Sequence, residues 1–378
     1  MYQFSKQVLD VGEMASGVKL TIPVYRLKST TKGPNVYIQA NMHGAEVQGN
    51  AVIFQLLELL KVTRFHGEIT LVPYANPVAC NHKNGEYTLG RFDPVTGVNW
   101  NRMYHFNASI IAPFAEQYLH SDEDEIETAF KTLLQTEIAN KLDHNQYGLT
   151  TGQRIAYQLQ QMAHDADLVL DLHTGPISSK HLYCPEYAQA SANYFNIPHV
   201  ILIPNEFDGA MDEAIFCPWW SLQIEFRRLG RVFYFNKESF TVELGSQEQI
   251  DLDLAKADAK GILSYLSYKN VLPTEQYQAE KLVRYASYLK DYNAFYSPMG
   301  GMVDYLAEFG KPLPAGEPLA RILRMDNYDQ HFNEKMEENN SIHYLTLDHE
   351  VLPILHFASA SVNQGTELYK VFSKFFVL

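Results

Sequence analysis

Short apolar strands that alternate with amphipathic helices constrain the fold of this chain more than any other feature of its sequence. Residues 35–41 alternate apolar and polar side chains as a strand does, and residues 46–62 carry apolar residues at helical spacing. A second apolar strand, at 167–172, follows a helical stretch at 152–164. Three more strands are predicted, at residues 68–73, 199–204 and 239–244. Alternation of this kind indicates an α/β domain built on a mixed sheet.

A third helix is predicted at residues 121–142, where either Ser121 or Asp122 would cap the first turn. Its apolar stripe consists of Ile126, Phe130, Leu133, Leu134, Ile138 and Leu142. Acidic side chains fill the first turn of this helix, at 122–127. A solvated face that complements the helix dipole explains them, and a partner-binding patch is the alternative. The helix belongs to a helical insertion that we predict at about 105–150.

The pattern changes after about Tyr292, where short strands separated by turns replace the helices. These strands are predicted at residues 302–309, 318–323, 342–347, 351–357 and 367–372. We therefore expect two domains, a larger α/β domain at 1–290 and a smaller all-β domain at 291–378. A lipoyl or biotin carrier would need a lysine at a hairpin tip, and the Gly-Lys-Pro setting of Lys311 is not that motif. A structural or substrate-limiting wall is the expected role of the β domain.

Composition limits the classes of protein to which the chain can belong. With 378 residues, 46% of them hydrophobic, it can bury one large core and a second, smaller one. No apolar run reaches the ~18 residues of a membrane-spanning helix. The N-terminus does not resemble a signal peptide, and three scattered cysteines give no disulfide framework, so a cytoplasmic protein is expected. The net charge of −14 disfavours nucleic acid and anionic membranes as partners, although a local arginine cluster can still bind an anionic substrate.

Two histidines and one glutamate have the spacing of a metal site. His43 and Glu46 are three residues apart, which places them one turn apart if the chain is helical there. His43 follows the strand at 35–41 and His173 follows the strand at 167–172, so both lie at strand ends, where open α/β sheets bind ligands. Two histidines and a carboxylate are a ligand set of catalytic zinc sites, which keep a further position open for water. We therefore predict one catalytic zinc ion per chain, bound by His43, Glu46 and His173.

Four motifs in order along the chain resemble the succinylglutamate desuccinylase/aspartoacylase family. They are His43-x-x-Glu46, Asn101-Arg102, His173 and Val242-Glu243-Leu244-Gly245, and together they cover about residues 35–245. The resemblance implies a zinc carboxypeptidase-like fold, one zinc ion, and a β-rich C-terminal domain like that of the long members. It also implies the reaction, which is hydrolysis of the amide that joins an acyl group to an amino acid.

Hydrolysis of an amide needs a carboxylate that takes a proton from water and returns it to the departing nitrogen. Glu243 is the candidate for this catalytic role. It is a charged residue among apolar neighbours on the predicted strand at 239–244, just before a glycine. Glu225 and Glu238 remain as alternatives, although neither lies in a comparable motif at a strand end.

An N-acyl amino acid carries a carboxylate, and a planar guanidinium can bind a carboxylate through two hydrogen bonds. The family resemblance implies that Asn101 and Arg102 bind substrate. Members often have aspartate two residues before that asparagine, whereas this chain has Asn99, so the charge near the site differs. Arg91 lies upstream of this pair, as an arginine does in family members. It is therefore either a second substrate-binding cation or an ordinary surface arginine. The other candidates for the cleft are Arg227, Arg228 and Arg231.

Three functions fit these patterns. The leading interpretation is a zinc-dependent amidohydrolase that removes the acyl group from a small anionic N-acyl amino acid. The second is a zinc carboxypeptidase that trims peptides, which would use the same ligands and the same arginine. The third is a non-enzymatic metal-binding or scaffold protein on the same fold, which the intact ligands and Glu243 disfavour. The sequence leaves open the acyl group, the amino acid and whether the chain forms a homo-oligomer.

Overall fold

A mixed sheet of ten strands forms the centre of the fold. The structure is a computed structural model that describes residues 2–273, 276–328 and 341–378. Its strands, numbered in chain order, are β1 Tyr2–Glu13, β2 Lys19–Ser29, β3 Val36–Ala40, β4 Glu68–Val72, β5 Lys83–Asn84, β6 Tyr87–Thr88, β7 Leu168–Gly175, β8 Ile177–Ser178, β9 His181–Pro185, β10 His199–Ile203, β11 Glu238–Ser246, β12 Tyr285–Tyr288, β13 Tyr292–Tyr296, β14 Gly301–Tyr305, β15 Pro318–Leu323, β16 Ile342–Thr346, β17 Leu352–His356, β18 Ser361–Val362, β19 Glu367–Phe372 and β20 Phe376–Val377.

The large sheet has the strand order β1-β2-β4-β3-β7-β11-β9-β10-β12-β20. Its central strands β4, β3, β7 and β11 are parallel, and β9 pairs with β11 in the antiparallel direction. The parallel strands are nearly continuous in buried apolar residues, because helices cover both faces of the sheet. The predicted α/β fold with a mixed sheet is therefore confirmed.

Six α-helices accompany the sheet in the part of the chain that the structure describes. They are α1 Gln48–Leu60, α2 Ile111–Gln117, α3 Glu123–Asp143, α4 Thr151–Ala163, α5 Met211–Arg228 and α6 Leu252–Tyr268. Helices α1 and α6 pack on one face of the sheet, and α4 with the first turns of α5 packs on the other. Helices α2 and α3 pack against α5 in a separate cluster, in which the rings of Phe130 and Trp219 lie 4.9 Å apart. Within the described residues, no helix combines the length and apolar character needed to cross a membrane.

Polar caps fix where α3 and α4 begin. Of the two predicted caps for α3, Asp122 is the one used, since its side chain accepts a hydrogen bond from the amide of Glu125 at 2.8 Å. Thr150 and Gln153 form a reciprocal capping box at the start of α4. Both helices lie within two residues of their predicted bounds.

Two predictions about the chain next to the candidate metal ligands are wrong in detail. The helix predicted from residue 46 begins at Gln48, so Glu46 precedes α1. Residues 43–46 form a turn instead, in which the amide of Glu46 donates to the carbonyl of His43 at 3.2 Å. The strand predicted to end at residue 172 continues to Gly175, so His173 lies within β7. Pairing with β11 extends β7, because Glu243 and His173 are partners across the two strands.

The C-terminal strands form most of two antiparallel sheets, each of four strands among the described residues. Their orders are β13-β19-β17-β8 and β16-β15-β14-β18. Strands β15 and β19 have the predicted bounds, and the two sheets share one apolar core. Two pairings join this region to the rest of the chain, since β8 pairs with β17 and β20 pairs with β12 of the large sheet. A domain boundary near residue 290 therefore stays a prediction.

Candidate functional site

His43, Glu46 and His173 meet at the carboxyl edge of the large sheet. Because β3 and β7 are parallel neighbours, the turn after β3 and the end of β7 reach the same edge. The turn carries His43 and Glu46, and β7 carries His173. Their exposed fractions are only 5%, 2% and 3%, respectively. Strand pairing thus brings residues that are 127 positions apart into contact.

The turn that carries His43 and Glu46 is held by Asn41 and Gly44. Asn41 has a positive φ of 65°, and its side-chain amide donates to the carbonyls of His43 and Gly44 at 2.8 and 3.2 Å. A β-carbon on Gly44 would lie 1.9 Å from the carbonyl oxygen of Ala79, so only glycine fits there. Residues 43–46 therefore pack closely against residue 79, and they form a tight turn there before α1 begins.

One ring nitrogen of each histidine faces the Glu46 carboxylate. Nδ1 of His43 lies 2.9 Å from Oε1 of Glu46, and Nδ1 of His173 lies 2.8 Å from Oε2. One candidate ligand atom from each of the three residues lies within 4.8 Å of the others. Burial alone would raise the pKa of Glu46, but the two imidazoles outweigh it and hold the pKa below its usual value. The Glu46 carboxylate is therefore ionised and able to bind a cation.

The second nitrogen of each imidazole has a polar partner, which orients the ring. Nε2 of His43 lies 2.8 Å from Oδ1 of Asn99, and Nε2 of His173 lies 2.9 Å from Oδ2 of Asp171. Gln39 in turn donates to Oδ1 of Asp171 at 2.9 Å. An imidazole that donates through Nε2 keeps a lone pair on Nδ1, and this is the tautomer in which His43 and His173 could each bind a metal ion.

These three residues can hold a metal ion, and their donor set fits zinc. Two imidazole nitrogens and one carboxylate oxygen are a ligand set of catalytic zinc sites, which keep a further position open. Polar partners on the far ring nitrogens are also typical of histidines that bind metals. The donor types and the burial therefore support His43, Glu46 and His173 as candidate metal ligands.

Glu243 lies on the strand next to His173. It is opposite His173 in the pairing of β11 with β7, and opposite His181 in the pairing of β11 with β9. Its Oε2 atom is buried and has no hydrogen-bond partner in the part of the chain that the structure describes. Burial and the nearby Glu46 carboxylate raise the pKa of Glu243 to about 7. A carboxyl group with a pKa near neutral can both take up and release a proton.

The two alternative glutamates lie away from this group. Oε1 of Glu225 pairs with Nη2 of Arg228 at 2.6 Å, one turn further along α5. Glu238 is at the amino end of β11, opposite to the end that carries Glu243, and it pairs with Lys269 at 2.8 Å. Of the three glutamates, only Glu243 lies beside the candidate metal ligands.

Asn101 and Arg102 reach the site from the loop before α2. The side-chain amide of Asn101 lies 3.4 Å from Nε2 of His173, and its oxygen accepts from the amide of Met211 at 3.3 Å. Nη1 of Arg102 donates to the Asn101 carbonyl at 2.8 Å, and its Nε lies 3.6 Å from Oδ2 of Asp208. The Arg102 side chain is 45% exposed, so its guanidinium can still donate to a ligand.

Arg91 lies at the site as well. The amide of Gly44 donates to the carbonyl of Gly90 at 2.9 Å, which holds the Arg91 loop against the turn of the candidate ligands. Nη1 of Arg91 lies 3.6 Å from Oε1 of Glu46, while 52% of its side chain stays exposed. Packing of this loop, not spacing along the sequence, brings Arg91 to the candidate metal ligands.

The three later arginines are not at this site. Arg227, Arg228 and Arg231 lie at or after the end of α5, a helix of 18 residues that is about 27 Å long. The first residue of that helix is the one that contacts Asn101. Nη1 of Arg231 donates instead to the carbonyls of Tyr118 and Leu119.

The sequence assigned no role to Asp171 or Tyr183. The sequence could have indicated that Asp171 lies beside His173, because residues two positions apart lie on the same face of one strand. Asn99 stands where family members often have aspartate, and it offers His43 an acceptor oxygen without the charge. Tyr183 lies on β9, a strand that no sequence pattern predicted, so no local signal pointed to it.

Comparisons with known proteins point to one family. The sequence profile of the Succinylglutamate desuccinylase/Aspartoacylase catalytic domain matches residues 32–269. A crystal structure from Shewanella frigidimarina NCIMB 400, assigned to that family, superimposes with a TM-score of 0.95 at 48% identity, over 100% of this chain and 99% of that chain. A family protein from Shewanella amazonensis SB2B gives a TM-score of 0.93 at 51% identity, over 99% of this chain and 100% of that chain.

More distant structures share the fold. The product-bound ectoine utilization protein EutE (DoeB) from Ruegeria pomeroyi superimposes with a TM-score of 0.63 at 17% identity, over 99% of this chain and 95% of that chain. None of the curated proteins matches the chain in sequence. Because the family profile covers more than half of the chain and the two Shewanella structures match nearly all of it, the chain belongs to the succinylglutamate desuccinylase/aspartoacylase family, with its zinc carboxypeptidase-like fold.

Proposed function

We propose that the protein is a zinc-dependent amidohydrolase that removes the acyl group from a small, anionic N-acyl amino acid. Membership of a family of deacylases supports this reaction. The observation that carries the proposal is the buried convergence of His43, Glu46 and His173, with Glu243 on the neighbouring strand.

Glu243 is the proposed proton carrier. Its carboxylate takes a proton from water and returns it to the amide nitrogen as the amide bond breaks. Zinc held by His43, Glu46 and His173 would supply Lewis acidity, which would polarise the amide carbonyl and lower the pKa of water. With its pKa raised to about 7, Glu243 is basic enough to accept the proton and acidic enough to release it.

Asn101, Arg102 and Arg91 are the proposed substrate-binding residues. The Arg102 guanidinium can make two parallel hydrogen bonds to a carboxylate, in place of its 3.6 Å contact with Asp208. Asn101 joins this anchor to the metal-ligand group through its contact with His173. Arg91 adds a second positive charge beside the scissile amide.

We also propose that residues 1–290 form the catalytic domain and that residues 291–378 form a separate β-rich domain. All the proposed metal-binding, catalytic and substrate-binding residues lie in the first of these ranges. The pairings of β8 with β17 and of β20 with β12 would then join the two domains. A cytoplasmic location and a homo-oligomer remain predictions from the sequence.

Metal analysis tests the proposed zinc ligands. The purified protein should hold about one zinc ion per chain. The His43→Ala and His173→Ala variants should lose most of it while keeping their circular dichroism spectra. His349→Ala is the matched control, because that histidine is half exposed and lies in the C-terminal region. Full zinc occupancy in the first two variants would contradict the assignment.

Substrate assays test the reaction. N-acetyl and N-succinyl amino acids should release the amino acid much faster than blocked dipeptides do, and the reverse preference would indicate a carboxypeptidase. Carboxamide analogues lack the carboxylate proposed to bind Arg102, so they should be poor substrates. Equal rates for a substrate and its carboxamide would rule out this carboxylate anchor.

A further inference from the structure

Strand β1 lies at one edge of the large sheet, and its outer side pairs with no strand among the described residues. It has 12 residues, which is long for an edge strand, because proteins usually keep exposed edges short. Most of its side chains are exposed, including Phe4 at 53% and Val8 at 59%. A long exposed edge of this kind is a template on which another strand can pair.

The pairing of β1 with β2 shows which backbone groups of β1 point outward. In an antiparallel pair, alternate residues direct their N–H and C=O groups toward the partner strand and away from it. On β2, the amide of Ser29 bonds the chain just before β4, and Pro23, six residues earlier, has no N–H. Both therefore belong to the set that faces away from β1. This set pairs with Phe4, Lys6 and Val8, so these three residues direct their backbone groups to the outer edge.

The side chains along β1 are complementary to themselves in the antiparallel direction. If two copies meet with Val8 opposite Val8, Lys6 of each copy lies opposite Asp10 of the other. Opposite charges in such positions stabilise a pair of strands, whereas a register with Lys6 opposite Lys6 would bring like charges together. Phe4 and Val8 lie on the same face as these charges, so the pairing also covers exposed apolar surface.

Both charged side chains are available for this pairing. Lys6 makes no ion pair with a described residue, and its Nζ lies 5.7 Å from the centre of an aromatic ring on β2. Asp10 lies 3.5 Å from Nζ of Lys19, which is closer to Glu13, at 3.0 Å. The Asp10 carbonyl accepts from the side chain of Gln158 at 3.3 Å, so it also faces away from β2. A carbonyl oxygen has two lone pairs and can accept a second hydrogen bond.

We propose that two copies of this chain associate through antiparallel pairing of their β1 strands about a two-fold axis at Val8, which joins the two large sheets into one. Two Lys6–Asp10 pairs fix the register. A lysine on an edge strand discourages pairing with strands that lack a matching acid, so the contact is specific for a second copy. Strands β2 and β4 separate β1 from β3, so this interface is distinct from the candidate metal site and does not depend on the proposed reaction.

Sedimentation velocity of the full chain over a range of concentrations tests the association. A contact made by one pair of strands is small, so we expect a dimer that dissociates on dilution. Lys6→Asp and Asp10→Lys should each raise the dissociation constant of the dimer about tenfold or more, because each creates two pairs of like charges. A chain that stays monomeric at every concentration, or a dimer that neither variant weakens, would overturn the proposal.

Mixing the two variants distinguishes lost complementarity from damage to the fold. In an equimolar mixture, every charge pair across the interface is again of opposite sign, so the two variants should associate with each other. A mixture that associates no better than either variant alone would refute the pairing of Lys6 with Asp10. Lys32→Asp is the matched control, because this lysine is exposed and lies outside β1. It should leave the dissociation constant unchanged.

Val8→Pro tests the backbone part of the contact. Proline is tolerated on an edge strand where the N–H group faces outward, so β1 should still pair with β2 and the circular dichroism spectrum should be retained. The substitution removes the two amide donors nearest the proposed axis, so the dimer should be lost. A dimer of unchanged dissociation constant in this variant would show that the copies do not associate through β1.

Discussion

Asp212 is a buried carboxyl group, and replacing it by asparagine should stabilise the protein at neutral pH. Its side chain is 2% exposed, in the first turn of α5, and Oδ1 accepts from the amide of Glu213 at 3.0 Å. It forms no ion pair with the residues that the structure describes. Burial, then the charges of Glu213 and Asp171, raise its pKa from 3.8 to about 7.

The raised pKa of Asp212 makes the free energy of unfolding decrease as the pH rises. The unfolded chain loses the Asp212 proton near the ordinary pKa of 3.8, whereas the folded protein keeps it up to about pH 7. The folded state therefore binds more protons in this window, so the free energy of unfolding decreases across it and levels off above. A shift of about three pH units at 1.36 kcal/mol each gives about 4 kcal/mol, which is an upper value because Glu213 shares the interaction.

Asp212→Asn keeps the oxygen that accepts from Glu213 and removes the titration. The variant should be more stable than the parent by about 2–4 kcal/mol at pH 8 and by only about 1 kcal/mol at pH 5. Urea unfolding followed by circular dichroism, at one saturating zinc concentration, measures the difference. Asp253→Asn, at an exposed carboxylate in the first turn of α6, should show no pH-dependent gain. A gain that is equal at both pH values, or a loss of stability at pH 8, would refute the reasoning.

Three further substitutions test the site and its scaffold. Glu243→Gln keeps the shape but cannot carry a proton, so turnover should fall roughly 10²–10⁴-fold with zinc retained, while Glu225→Gln stays near normal. Arg102→Lys loses the paired hydrogen bonds, so steady-state kinetics should show a raised KM, and a lower kcat too if the contact orients the amide. Gly49→Ala places a β-carbon 2.8 Å from that of Ala40. That overlap should lower the free energy of unfolding by about 1–3 kcal/mol, as measured by urea unfolding. Zinc binding should weaken too, because α1 must shift against β3. An unchanged urea midpoint would contradict the tight contact.

The α/β class and most main elements could be predicted because each has a local signature in the sequence. The alternation at residues 35–41 indicates a strand, and β3 lies there, although the structure buries both of its faces. The predicted bounds of β15 and β19 match the observed ones, since turn residues mark their ends. The candidate ligands could be named in the same way, because His43 and His173 each follow a run of apolar strand residues in the sequence.

Local sequence patterns did not predict the features that depend on contacts between distant segments. The start of α1 depends on the packing of Gly44 against residue 79, and the length of β7 depends on its pairing with β11. A local pattern does not show that the loop of Arg91 folds back onto the turn of Glu46. The sequence therefore named candidate residues, and only the tertiary structure placed them side by side.

The strand β9 shows the difference most clearly. From the sequence alone, an α/β fold could be assigned to this chain. His43, Glu46 and His173 could be named as candidate metal ligands, and Glu243 as the candidate proton carrier. The sequence did not indicate that β9 pairs with β11 in the antiparallel direction, or that a C-terminal strand brings Tyr292 to Tyr183. Periodicity records only which face of an element is buried. Which distant element covers that face is decided by the register and packing of segments far apart in the chain.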